Sequence, residues 1–236
     1  MKRFKKLVIT SLIGVLLSTS PMSALAAYSG TKAANYAKKH ARNYNSSFPK
    51  FVNDCTNFVS QCVYYGGISM KYVPASNIKY KHINDIYKTR NYWSTAKYTR
   101  TTKVAGFKIY SKTGFVTTST WSVVAKNTND SWWGFYNYMR DRGAYTREYK
   151  VNTESRLNTF IKDCSVGDVL QVRSSTSSNK NHSVIVTDKS YDSKNKRYNM
   201  KIAYHTNDTA PTDFRNVSLR RFGEETLWTI IKVSKI

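Results

Sequence analysis

The chain has 236 residues, with 38 Lys and Arg against 14 Asp and Glu, a formal charge of +24. Three cysteines are too few for a disulfide scaffold, four prolines argue against a long linker, and 18 tyrosines with five tryptophans give ample material for a core. A charge of this sign draws polyanions, so acidic polymers or surfaces are the expected company.

Residues 1–26 read as a secretory signal peptide. Lys2, Arg3, Lys5 and Lys6 form a basic start, Leu7 to Leu17 an apolar run too short to span a bilayer, and Ala24-Leu25-Ala26 a cleavage site. An uncleaved anchor is the alternative. The mature chain, from about Ala27, is expected to be secreted, extracellular or wall-associated, with no later membrane span. The signal segment holds four of the basic residues and none of the acids, so the mature chain carries +20. In a cytosolic protein that charge would suggest nucleic acid. In an exported one, with no recognition-helix or RNA-binding motif, it suits the anionic polymers of a bacterial wall or an acidic membrane surface.

Thr31 to Asn43 has helical spacing, with Ala33, Tyr36, Ala37, His40 and Ala41 in phase. A second helix opens at Asn53-Asp54-Cys55, with Asn53 as its N-cap, and carries Phe58, Val59, Cys62 and Val63 on one face. Gly66-Gly67 ends it with a left-handed cap. Residues 71–129, rich in Lys, Thr, Tyr and Ser, read as an irregular basic insertion with a hairpin or two, carrying Trp93 and Trp121. A helix runs from Asp130 through Arg140, with Trp132, Trp133, Tyr136 and Met139 inward and Gly143 as terminator. Another opens at Thr153 with Leu157, Phe160 and Ile161. Period-two strands follow at 168–173, 183–188, 199–204 and 226–233, with Ser190 to Lys196 a polar turn. Helices first and an antiparallel sheet second make the class α+β, in one domain over 27–236.

The chemistry centres on Cys55. A helix N-terminus favours the thiolate, the form that attacks carbonyls. Cys62, deeper in the same helix, reads as structural. The two lie two turns apart, roughly 10 Å, and cannot bond to each other. A bridge from either to Cys164 would leave an odd thiol. Of four histidines, His182 heads an apolar strand and is the candidate base. His205 closes the next strand, whose end an antiparallel hairpin brings back towards His182, so it is the candidate orienting group. Asn207 and Asp208 compete for that third role. Cys55, His182, His205 and Asp208 could ligate zinc, yet no closely spaced ligand pair occurs, and neither metal nor other cofactor is expected.

Asp54-Cys55-Thr56-Asn57-Phe58-Val59-Ser60-Gln61-Cys62 with Gly66-Gly67 resembles the signature of the bacterial “putative amidase domain” family. The Trp132 to Tyr138 segment, Val166-Gly167-Asp168-Val169, Asn181-His182-Ser183-Val184-Ile185-Val186-Thr187 and Tyr204-His205-Thr206-Asn207-Asp208 follow in family order, over essentially the whole mature chain. That family is similar to the NlpC and CHAP members of the papain-like superfamily. The resemblance implies a papain-like fold and a Cys55 nucleophile with His182 as base and His205 as orienting residue. The implied substrate is a peptide or amide bond, often in peptidoglycan. An acyltransferase using the same site is one alternative. The other is a cationic wall-binding or toxin-like protein without catalysis, in which Trp93 and Trp121 stack on sugars.

Overall fold

In the computed structural model the described residues are 27–104, 107–124, 133–177, 179–206, 209–218 and 226–236. The signal-peptide reading, Asp130, Trp132, Asn207 and Asp208 fall outside them. Helix α1 spans Gly30–His40, capped by the Ser29 hydroxyl, which accepts the Lys32 N–H. It stops three residues short of the expected Asn43. Helix α2 spans Cys55–Tyr65. Gly66 continues right-handed, and Gly67, at φ 116°, makes the left-handed turn.

The insertion is more regular than its composition suggests. Strands β1 (Asp85–Tyr87), β2 (Thr95–Val104) and β3 (Phe107–Thr118) form a sheet of order β1-β3-β2. The β2–β3 ladder is laced by threonine pairs, Thr95 with Thr117 and Thr99 with Thr113, whose hydroxyls lie 2.7 and 2.8 Å apart. Cross-strand hydroxyl bonding is what a Thr-rich, Val-poor segment can offer a sheet. Short helix α3 (Ser119–Ser122) and α4 (Phe135–Asp141) follow. Helix α4 is capped at Gly134, with Phe135, Tyr138 and Met139 buried and Trp133 and Tyr136 half-buried.

The main sheet contains β4 (Tyr145–Lys150), β5 (Val169–Ser174), β6 (His182–Asp192), β7 (Arg197–Tyr204), β8 (Thr209–Asp213) and β9 (Thr226–Lys232). Its order is β4-β9-β5-β6-β7-β8, antiparallel throughout. Strands β6 and β7 run through the residues expected as a polar turn and leave only the turn at 193–196. Strands β4 and β8 had no clear period-two signal. Helix α5 (Glu154–Asp163), capped by Thr153 as expected, and α6 (Phe214–Ser218) complete the set. The class is α+β.

Apolar side chains collect on both faces of the sheet. One cluster joins Phe58, Val59, Cys62, Trp93, Trp121 and Met139 to Val169, Ile185 and Ala203. The other joins Leu157, Phe160, Phe214 and Trp228 to Leu170, Val184 and Ile202. The alternation along β5 and β6 divides these strands between the two clusters. Helix α1 seats against the turn before β5 by glycine contact. A Cβ on Gly30 would stand 2.0 Å from the Val166 carbonyl oxygen, and one on Gly167 would stand 2.2 Å from the Gly30 Cα. Tyr28 locks this junction by donating its hydroxyl to the Gly167 carbonyl at 2.6 Å. Among the described residues, no helix is long and apolar enough to cross a membrane.

Candidate active site

The Cys55 motif reads as an amphipathic pattern, yet every residue of α2 from Cys55 to Val63 is buried. Its polar side chains therefore need partners inside the protein. Asn57 donates to the Pro49 carbonyl at 2.8 Å and to Asp54 Oδ1 at 2.9 Å, and accepts Trp121 Nε1–H at 2.7 Å. Ser60 donates to the Trp121 carbonyl at 2.7 Å. Gln61 accepts the Tyr36 hydroxyl at 2.7 Å. Thr56 meets the Ser183 hydroxyl at 3.1 Å, and Ser183 accepts Gln171 Nε2–H at 2.9 Å. The motif thus ties α2 to α1, the insertion, β5 and β6.

The N-cap is Asp54, not Asn53, and Cys55 is the first residue of the helix. Asp54 Oδ1 accepts the Phe51 N–H at 2.9 Å, and its own N–H donates to Thr206 Oγ1 at 3.2 Å. Thr206 holds a left-handed φ of 74° to present that oxygen.

All three thiols are free, so no bridge removes Cys55. Burial is the largest influence on it and pushes the thiol above its ordinary range. The Ser183 amide and the Thr56 hydroxyl and amide pull it down, while the Asp54 charge raises it further. The thiolate expected at a helix N-terminus is therefore not the favoured resting form, because desolvation outweighs the favourable dipole. Cys62 and Cys164 are raised by burial as well.

Cys55 and His182 line one cavity of ≈ 390 Å³, together with Asn53, Ser122, Lys180 and Thr206. His182 is the first residue of β6, its ring edge-on to Tyr204 at 4.8 Å between centroids. Strand pairing and the α2 contacts bring these two residues, 127 positions apart, to the same space.

His205 is placed differently from the expectation. Its Nδ1 lies 2.5 Å from Asp54 Oδ2 and its Nε2 2.9 Å from the His40 carbonyl oxygen. Its ring stacks on Phe58 at 4.0 Å. With both nitrogens engaged there, it has none to offer the imidazole of His182. The hairpin does bring the end of β7 beside the start of β6, as the register Ile185 to Ala203 shows. Yet Tyr204 is the residue that meets the His182 ring, while His205 packs against α2. Asn207 and Asp208, the other candidates for the third role, lie outside the described residues.

Trp93 and Trp121 are wholly buried, with centroids 4.6 Å apart. They anchor the insertion to the α2 core and offer no face to a sugar, which removes that part of the binding alternative. Sequence reasoning missed Asp54, Gln171, Lys180, Ser183 and Thr206. Asp54, Ser183 and Thr206 stood inside the motifs beside the chosen residues, but only their partners reveal their work.

A family model described as “Putative amidase domain” matches residues 27–229. No curated protein and no solved structure matches the chain.

Proposed function

The chain belongs to the putative amidase domain family, and from that membership and the shared cavity we propose a secreted cysteine amidohydrolase or peptidase of papain-like type that cleaves amide bonds in peptidoglycan. The observation that carries the reading is the cavity lined by both Cys55 and His182. Because burial keeps the resting thiol protonated, His182 takes the Cys55 proton as the sulfur attacks the amide carbonyl, rather than holding a preformed thiolate. The C–N bond breaks as His182 returns the proton to the leaving amine. Water, deprotonated by His182, then hydrolyses the acyl-thioester. Backbone amides at the head of α2 supply charge stabilisation for the tetrahedral oxygen. His205 holds Asp54, and Asp54 holds the turn that presents Cys55. Transfer of the acyl group to an amine would use the same steps, and product analysis distinguishes it.

Digestion of purified peptidoglycan by wild type and Cys55→Ala, with fragments identified by mass spectrometry, tests this directly. Release of the same fragments by both proteins would refute the cysteine mechanism.

A second observation supports attachment to anionic wall polymers, alone or beside catalysis. A cavity of ≈ 670 Å³ in the insertion is lined by Lys79, Lys81, His82 and Lys88, with Asp85 the one acid in its lining. The Lys79 N–H donates to His82 Nδ1 at 2.9 Å, which fixes the ring beside the lysines. A purely binding protein would lose its effect as salt rises and would ignore thiol alkylation.

A further inference from the structure

Strands β5 and β6 present an apolar stripe to α2 through Val169 and Ile185, and two polar residues sit within that stripe. Gln171 and Ser183 are cross-strand partners, and strand alternation puts them on the same face as Val169 and Ile185. Both are wholly buried, as is Thr56 in the first turn of α2. Polar groups in such a place are costly unless bonded, and the bonds these three make have a direction.

The direction is set at Gln171. Its side-chain amide lies 3.0 Å from the Val124 carbonyl oxygen, which can only accept, so the group turned there is Nε2–H. The same nitrogen donates its second proton to Ser183 Oγ at 2.9 Å. Among the described residues, the acceptor left for the Ser183 proton is Thr56 Oγ1, at 3.1 Å. Thr56 accepts that bond, which leaves its own O–H for Cys55 Sγ, 3.8 Å from Oγ1 and within reach of a sulfur acceptor. The reverse order, from the Cys55 S–H to Thr56 to Ser183, would leave the buried Ser183 O–H with no acceptor. A main-chain carbonyl thus aligns three buried side chains so that the last donates to the sulfur. Burial raises the Cys55 thiol, and the Ser183 amide and the Thr56 hydroxyl oppose it.

We infer that Thr56 is a further catalytic residue, whose hydroxyl donates to the Cys55 sulfur as the proton leaves for His182, and that Gln171 and Ser183 are positioning residues that fix its direction. The part in catalysis rests on the cysteine-hydrolase reading, whereas the donation to sulfur does not.

The test reads the sulfur itself. Iodoacetamide alkylation of Cys55 in the full chain is followed by peptide mass spectrometry as a function of pH, and the midpoint of the rate profile gives the thiol ionisation. Thr56→Val keeps the shape of the side chain and removes the donor. Its midpoint should rise by about one pH unit, so that alkylation at a fixed pH below it slows about tenfold. Thr56→Ser should restore the wild-type midpoint, which a loss of packing alone would not produce. Had the thiol been the donor, Thr56→Val would lower the midpoint, so a lowered or unchanged value overturns the inference. Should Thr56→Val fail to fold, Ser183→Ala decides, because cutting the chain above Thr56 should also raise the midpoint, by less, and a fall or no change overturns the inference. A raised midpoint in a protein that cleaves no amide would sink only the amidase reading, and amide cleavage with an unmoved midpoint only this one.

Discussion

His205 Nδ1 lies 2.5 Å from Asp54 Oδ2, and each residue is 1% exposed. This contact joins the end of β7 to the residue immediately before Cys55. Asp54 is fully engaged, with Oδ1 on Phe51 and Asn57 and Oδ2 on His205. Truncating one member of a buried hydrogen-bonded pair leaves the other without its partner, at a cost of about 1–3 kcal/mol. His205→Ala should lower unfolding stability by that amount in a urea titration, and the thiol's reactivity should fall as the turn loosens. A loss under about 1 kcal/mol would mean the pair is ornamental to the fold.

Asn57 makes three bonds from inside a buried helix. Asn57→Ala orphans Trp121 Nε1–H and the Pro49 carbonyl, and should destabilise by about 2–4 kcal/mol. Since Trp121 belongs to the insertion, amide exchange along β2 and β3 is expected to rise with it. Exchange confined to α2 would show that the insertion is held by other contacts.

The raised thiols carry a pH signature. Cys55, Cys62 and Cys164 all have folded pKa values above the ordinary thiol. Unfolded thiols lose their protons near pH ~8.5 while the folded ones retain them, so the unfolded state binds fewer protons and stability falls as pH rises past that point. Half-buried Tyr28, raised well above its usual value by desolvation, extends the loss beyond pH ~10. Urea midpoints measured at pH 7, 8.5 and 9.5 should decrease in that order. A flat or rising series contradicts the assigned direction.

His182 acts in the proposed mechanism by accepting a proton during attack. Its replacement by Ala should therefore cut turnover of an amide substrate by about 10²–10⁴-fold. Iodoacetamide alkylation of Cys55 at high pH, where hydroxide supplies the thiolate, should change much less. Equal loss in both assays would point to a collapsed cavity rather than a missing base.

The cationic cavity of the insertion lies apart from Cys55 and shares none of its lining. A double variant, Lys79→Gln with Lys81→Gln, should elute from purified anionic wall polymer at lower salt than wild type, with unchanged Cys55 alkylation. Co-elution would place the binding charge elsewhere on this +24 chain.

The sequence alone specified the elements whose signals are local. The Thr153 cap, the α5 face and the cores of β5, β6, β7 and β9 need only neighbouring residues to declare themselves, and the α+β class follows from their order. That Cys55 and His182 each head a regular element was legible too, because both have apolar neighbours that follow in phase; that they share a cavity came from the fold. The insertion was harder to read, since its strands are held by hydroxyl pairs that resemble loop chemistry in one dimension.

What only the tertiary structure decided is how polar groups pair across long separations. The choice of partner for His205 rests on the packing of α2 against β7, which sequence spacing does not encode. The reversal of the expected Cys55 ionisation has the same origin. A helix N-terminus is a local feature that favours the anion, but the burial that overrides it arises only when β6, with Ser183, and the end of the insertion, at Ser122 and Val123, come together beside Cys55.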